Sequence, residues 1–370
     1  MTVRIPADLL PSDGRFGSGP ARIRPEAISS LAGPGAALLG TSHRQAPVRS
    51  LVARVRSGLA GLYRAPEGYE VALGNGGSTL FWDAAVSSLI EHRSAHGCYG
   101  EFSRKFARAA ARAPHLADPL ITEVPVGSAV LPAPAEGVDA YAWAHNETST
   151  GAAAPVHRIE ADPGALTLID ATSAAGGIDV DLAQTDAYYF APQKNLGSDG
   201  GLWLAFLSPA AIERIGRIAA SDRWIPDILS LQIALDNSRR DQTLNTPAIA
   251  TLWLLADQLD WLNENGGMAF ATARTRASAA HLYGWAERHE LARPFVDAEH
   301  RSPVVGTIDF DPSVDAKALA ATLRANGIVD VDPYRKLGRN QLRIGMFVTV
   351  PTADVEALTA CIDWALEHRD

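Results

Sequence analysis

Only four of the 33 basic residues are lysines: Lys105, Lys194, Lys317 and Lys336. Lys194 alone stands between two apolar runs, in DAYYFAPQKNLGSDGGLWLAFLSP at 186–209. That pattern predicts a strand, a polar turn carrying the lysine, and a second strand. Apolar neighbours on both sides would desolvate the amine and lower its pKa, which favours condensation with a carbonyl. The alternative is a solvated loop lysine, the commoner state of this residue type. The run ALTLID places Asp170 at the end of another strand, followed by ATSAAGG. In an open α/β sheet, ligands gather beyond the carboxyl ends of the strands. A lysine that forms a Schiff base and a carboxylate that keeps a pyridine nitrogen protonated are the two groups that pyridoxal phosphate requires. Capping the turn that follows is the alternative for Asp170.

Two further segments fit a phosphorylated, flat ligand. LGNGGSTLFWDAA at 73–85 reads as strand, glycine-rich turn and helix start. Backbone amides of Gly76, Gly77, Ser78 and Thr79 can point at an anion, assisted by the helix dipole. It is not a dinucleotide fingerprint: Thr79 stands where the third glycine belongs, and no acidic residue follows about 20 positions on at a strand end. Nor is it a P-loop, since no lysine follows the glycines. HNETSTG at 145–151 follows the strand VDAYAWA. Asn146, Thr148 and Ser149 can hydrogen-bond a ring substituent or phosphate, or serve an ordinary turn. Phe102 can stack on a flat ring, or belong to the core.

These residues need a scaffold to meet. The chain has 370 residues, 47% of them hydrophobic and 20% charged, the balance of a folded protein. Its length suits two domains. The net charge of −9 disfavours a general nucleic-acid or acidic-membrane binder, so an anionic ligand must be held by local groups. Cys98 and Cys361 fit neither a disulfide framework nor a zinc cluster. No apolar run approaches the roughly 18 residues of a membrane span, and no secretory leader is apparent; the expected location is the cytoplasm. Strands are expected at 69–73, 138–144, 165–170, 187–190 and 201–207. Helices are expected at 49–63, 78–91 and 101–112. Alternating strands and helices predict a mostly parallel α/β sheet. Thr246 reads as an N-cap with Pro247 at the first helical position, opening a helix to Leu262. After it come helices at 271–290, at 315–325 and from Thr352, with strands at 304–310, 328–331 and 341–347. The domain reading is an arm (1–20), a large domain (21–265) and a smaller C-terminal α+β domain (266–370).

Together Asp170, APQKN with Lys194, the GNGGST turn and HNETSTG resemble the phosphoserine aminotransferases, class V enzymes of pyridoxal-phosphate fold type I. GSGPARI at 17–23, GTSHR at 40–44 and NTPAIAT at 245–251 match further segments of that family, and DPYRKLGRNQLRIGMF resembles its actinobacterial variant. The resemblance runs from about residue 14 to the end. It implies that Lys194 is the Schiff-base lysine and that Asp170 pairs with the pyridinium nitrogen. Gly77, Ser78 and Gln193 would hold the cofactor phosphate, Thr148 the ring hydroxyl, and Phe102 would stack on the ring, where the family more often has Trp. Asn245 and Thr246 would reach the phosphate from a partner subunit, implying a homodimer. Ser18, His43 and Arg44 would hold the substrate's anionic groups, with Arg343, Arg335 and Lys336 near the C-terminus. Arg339 reads as a solvated surface charge, as do Lys105 and Lys317.

The implied reaction is transamination between L-glutamate and 3-phosphohydroxypyruvate, giving O-phospho-L-serine and 2-oxoglutarate, with Lys194 moving the proton. Alternatives are a serine or alanine–glyoxylate aminotransferase, a cysteine desulfurase, which would need a better-placed thiol, and a non-catalytic protein of the same fold.

Overall fold

The computed structural model describes residues 4–160 and 163–368; residues 1–3 of the expected arm lie outside them. After the arm come α1 (Pro25–Ala32), α2 (Ala46–Tyr63), β1 (Glu70–Asn75), α3 (Ser78–Ser88), β2 (Ser94–Cys98), α4 (Glu101–Arg112), β3 (Leu120–Glu123) and β4 (Ala140–Ala144). The two-residue strands β5 (Asn146–Glu147) and β6 (Ala152–Ala153) precede β7 (Leu166–Asp170), β8 (Ala187–Phe190) and β9 (Leu202–Leu207). Four helices follow: α5 (Pro209–Ala219), α6 (Leu231–Ser238), α7 (Ile249–Glu264) and α8 (Gly267–Arg288). The C-terminal part contains β10 (Ala292–Pro294), β11 (Val305–Phe310), α9 (Ala316–Ala325), β12 (Gln341–Gly345) and α10 (Thr352–Glu367).

The main sheet has the order β1-β9-β8-β7-β4-β2-β3. Strands β8, β7, β4, β2 and β3 run parallel, while β9 is antiparallel to both β8 and β1. The interior strands are buried along their whole length. Helices on both faces explain their continuous apolar runs. One face packs Phe190, Phe206 and Leu204 against Val52, Val55 and Leu255 from α2 and α7. The other packs Tyr189, Trp203 and Leu168 against Phe81, Trp82 and Phe106 from α3 and α4. Burying each such side chain contributes roughly 1.5–3 kcal/mol.

A second, antiparallel sheet, β10-β11-β12, packs with α8, α9 and α10 around Leu323, Ile344 and Leu358. The arm joins this core: Ile5 is 3% exposed and Phe16 fully buried.

Several boundaries differ from the sequence reading. Thr246 is not an N-cap. Helix α7 begins at Ile249 with Ala248 as its cap residue, because the preceding turn is held by Asn75, whose Nδ2 donates to the Thr246 carbonyl at 2.9 Å. Residues 328–331 are not a ladder strand. Val329 forms a single bridge with Arg15, since its partner is the glycine-rich arm. The helix expected to run to Glu91 ends at Ser88, and the strand expected to reach Phe347 ends at Gly345. Strands β2, β3 and β10 and helices α1, α5 and α6 escape the sequence reading, although Ser208 as N-cap and Pro209 at the first position mark the start of α5.

Candidate functional site

The parallel strands end at one edge, and there a cavity of about 300 Å³ opens. Gly77 and Ser78 line it from the N-terminus of α3. Phe102 comes from α4, Asn146 and Thr148 from the segment after β4, and Asp170 and Thr172 from the end of β7. Gln193 and Lys194 come from the turn after β8, and Gly19 and Pro20 from the arm. Gly77, Ser78, Phe102, Thr148, Asp170, Gln193 and Lys194, singled out from the sequence, thus share one wall.

Lys194 is 9% exposed. Its Nζ donates to the Ser18 carbonyl at 2.9 Å and to Thr148 Oγ1 at 3.4 Å, and lies 5.9 Å from the centroid of the Phe102 ring. Burial pushes its pKa down to about 8, reinforced by the nearby Arg343 and opposed by Asp170 and Glu147. The neutral fraction this allows near neutral pH, about a tenth, can act as a nucleophile and a base.

Asp170, the last residue of β7, is 6% exposed. Its Oδ1 accepts from Thr172 N at 2.9 Å and Thr172 Oγ1 at 2.5 Å, and its Oδ2 accepts from Trp82 Nε1 at 3.0 Å. Burial raises its pKa, while the hydrogen bonds from Thr172 and Trp82 act against that rise and the charge of Glu147 adds to it. A positively charged ring N–H beside Oδ2 would relieve this cost of burial.

Gly77 caps α3 without a side chain, and while Leu80 N donates to the Gly77 carbonyl at 2.9 Å, the amides of Ser78 and Thr79 at the very start of the helix have no acceptor one turn back. With the helix dipole they form an anion site. Two buried atoms of the lining, Gln193 Oε1 and Asn146 Oδ1, have no hydrogen-bond partner among the described residues. An anion cradle, an aromatic face at Phe102, orphaned polar atoms, a buried carboxylate and a buried amine together fit a phosphorylated pyridine aldehyde.

The sequence reading overlooked what holds these parts. Glu147 is fully buried. Its Oε1 accepts from Ser149 Oγ at 2.6 Å, and its Oε2 from Ser103 N at 2.9 Å and Phe102 N at 3.1 Å. It fixes the start of α4 and therefore Phe102. Trp82 and Thr172 orient Asp170, and Tyr334 lies 6.1 Å from Phe102 between ring centroids. Their signal in sequence was faint, because an aromatic, a threonine and a glutamate within apolar or turn segments have many ordinary roles.

The other expected residues lie around or away from this wall. Ser18 touches Lys194 only through its carbonyl. Arg343 Nη1 donates to the Thr148 carbonyl at 3.1 Å, and its guanidinium lies 5.3 Å from the Tyr334 ring. Burial lowers its pKa. Arg335 is exposed. Lys336 pairs with Glu101. His43 Nδ1 meets Thr246 Oγ1 at 3.2 Å, and Arg44, Asn245 and Thr246 are exposed on this chain, outside the cavity lining. Arg339 is not a free surface charge: it pairs with Asp309 and lies 4.2 Å from the Phe295 ring. Lys105 is likewise partnered, 3.7 Å from Glu101. Cys98 and Cys361 are both buried and unpaired with each other.

Residues 83–331 match the family described as aminotransferase class-V. A phosphoserine aminotransferase of Rhodococcus opacus is 58% identical over 365 residues, covering 98% of each chain. Among solved structures, a phosphoserine aminotransferase from Cytophaga hutchinsonii superposes with a TM-score of 0.87 at 21% identity, covering 97% of this chain and 99% of the other. One from Trichomonas vaginalis with PLP bound superposes with a TM-score of 0.80 at 19% identity, covering 94% and 99%.

Proposed function

The chain belongs to the class-V aminotransferases, and from that premise we propose that it is a phosphoserine transaminase of serine biosynthesis. It exchanges the amino group of L-glutamate with 3-phosphohydroxypyruvate to give O-phospho-L-serine and 2-oxoglutarate. The observation that carries this reading is the meeting of Lys194 and Asp170 in one cavity with the anion cradle at Gly77 and Ser78. Pyridoxal phosphate is the cofactor, and when bound it supplies an electron sink for the pair of electrons left as the substrate Cα loses its proton.

The chain's own residues account for the rest. The Gly77 and Ser78 end of α3, with Gln193, holds the phosphate. Phe102 packs on the ring, and Thr148 offers its hydroxyl to the ring oxygen. Asp170 holds the protonated ring nitrogen. Lys194 Nζ anchors the cofactor. Once released, it takes the proton from Cα of bound glutamate and delivers one to Cα of the incoming oxo acid.

Ser18 and Arg343 are assigned to the substrate carboxylate, with Arg335 and Lys336 for the substrate phosphate. His43, Arg44, Asn245 and Thr246 are assigned to the cavity of a second copy in a homodimer. The exposure of Arg44, Asn245 and Thr246 on this chain supports that assignment, and the buried His43 joins them through Thr246 Oγ1 at 3.2 Å. The same reading takes 1–20, 21–265 and 266–370 as arm, cofactor-binding domain and small domain, and sets the reaction in the cytoplasm. Among the described residues no helix is long and apolar enough to cross a membrane.

The test is a paired rate measurement. With glutamate as donor, 3-phosphohydroxypyruvate should be turned over far faster than unphosphorylated hydroxypyruvate. Equal rates, or a preference for glyoxylate, would replace this substrate with that of another class-V aminotransferase.

A further inference from the structure

Helix α3 carries more than the anion cradle. Ser78 and Trp82 stand one turn apart, on the same face. Ser78 Oγ lies 2.7 Å from Thr172 Oγ1, whose hydroxyl also meets Asp170 Oδ1 at 2.5 Å. Trp82 Nε1 donates directly to Asp170 Oδ2 at 3.0 Å. The two oxygens of Asp170 are thus held by different elements. Oδ1 receives two hydrogen bonds from Thr172, its own turn. Oδ2 receives one, from α3.

The indole is itself immobilised. Trp82 is 4% exposed, and its ring lies nearly parallel to that of Phe106, with centroids 6.5 Å apart. Both Trp82 and Asp170 line the cavity. A donor fixed on one side of Oδ2 leaves the remaining lone pair of that oxygen for a partner in the cavity. Without it, the carboxylate can rotate about its terminal torsion, which is broad for Asp.

We propose that Trp82 is a positioning residue, whose indole N–H sets the direction of Asp170 Oδ2 and so fixes the carboxylate against the ring nitrogen of the cofactor. The inference rests on the cofactor reading above. It assigns Trp82 no contact with substrate. The indole also favours the ionised carboxylate, because it hydrogen-bonds the charged form. The ionisable groups that interact with Asp170 are Glu147 in β5, Lys194 after β8, Tyr188 and Tyr189 in β8, and Tyr99 after β2. Removing the indole leaves all of them in place.

The experiment uses W82F in the cofactor-loaded protein and follows pyridoxal phosphate dissociation by absorbance across pH. A hydrogen bond to a charged group is lost, so the dissociation constant should rise about tenfold. The affinity falls as pH drops and Asp170 takes up a proton. With its carboxylate less favoured, W82F should begin that fall at higher pH, its midpoint raised by about one unit. The KM for glutamate should stay within about twofold of wild type. An unchanged dissociation constant and midpoint would overturn the proposal. So would a lowered melting temperature with an unmoved midpoint, the mark of a tryptophan that only fills the core. If W82F does not fold, W82L, which also lacks the donor, is read in the same way. A wild-type protein that binds no pyridoxal phosphate would instead defeat the cofactor reading.

Discussion

A Cβ placed on Gly19 would stand 2.6 Å from Lys194 Nζ. The arm therefore approaches the amine as closely as a backbone without a side chain allows, and the Ser18 carbonyl beside it accepts the Lys194 hydrogen bond. Gly19 also has φ of +144°, a region that side chains disfavour. Gly19→Ala should strain the arm by about 1–3 kcal/mol and displace Nζ. The expected result is cofactor affinity at least tenfold weaker, read from the visible absorbance of the dialysed protein. Wild-type affinity would show that the arm yields without cost.

The pH dependence of cofactor capture follows from the same amine. Only its neutral form attacks a carbonyl, and burial brings its pKa down to about 8. In protein stripped of cofactor, the rate of recombination with pyridoxal phosphate should rise with pH and level off above about 8. A rate still climbing toward the ordinary lysine range would contradict the buried setting of Lys194. The sign is fixed by desolvation, which favours the neutral amine.

Much of this site was legible because strand ends are legible. ALTLID and DAYYF are apolar runs that stop at polar turns, so Asp170 and the Lys194 turn could be placed at one edge of a sheet before any geometry was known. The supports were less visible. Glu147 lies in HNETSTG, a polar segment whose residues have routine local roles. Its importance comes from a helix start about 45 residues away in sequence, with Phe102 N donating to it at 3.1 Å. Thr246-Pro247 illustrates the opposite error. Its local signal is that of a helix start, yet a tertiary hydrogen bond from Asn75 holds the turn open and delays α7 to Ile249.

Glu147 offers a direct test of that long-range support. Gly100 leaves it room, since a Cβ there would stand 2.2 Å from Glu147 Cγ. Glu147→Ala leaves the buried donors at the start of α4 unpaired and should lower stability by about 1–3 kcal/mol. Phe102 should lose its fixed place, so cofactor affinity should fall as well. Chemical denaturation and cofactor titration on the same variant check both parts.

The cations near the C-terminus should separate in function. Lys336 is half exposed and paired with Glu101, a type of pair that contributes at most about 1 kcal/mol. Arg335 is exposed and, among the described residues, makes no ion pair. Arg335→Ala should therefore raise the KM for 3-phosphohydroxypyruvate more than Lys336→Ala does, with the KM for glutamate little changed in either. Steady-state kinetics with both substrates decide the order.

Arg343 should behave differently from both. Its guanidinium is held by the Thr148 carbonyl and the Tyr334 ring, so its planar fork has a defined direction that lysine cannot reproduce. Arg343→Lys should raise the KM for glutamate about tenfold, corresponding to about 1.4 kcal/mol of lost carboxylate binding. A variant with unchanged KM would remove Arg343 from the substrate site.

The central claim is that Lys194 carries the cofactor, and four lysines make it open to a single measurement. Borohydride reduction of the loaded protein makes the bond between lysine and pyridoxal phosphate permanent, and peptide mass mapping then locates it. The predicted result is one reduced cofactor per chain on the peptide containing Lys194. A label on Lys105, Lys317 or Lys336, or no label on a protein that retains its turnover, would contradict the account.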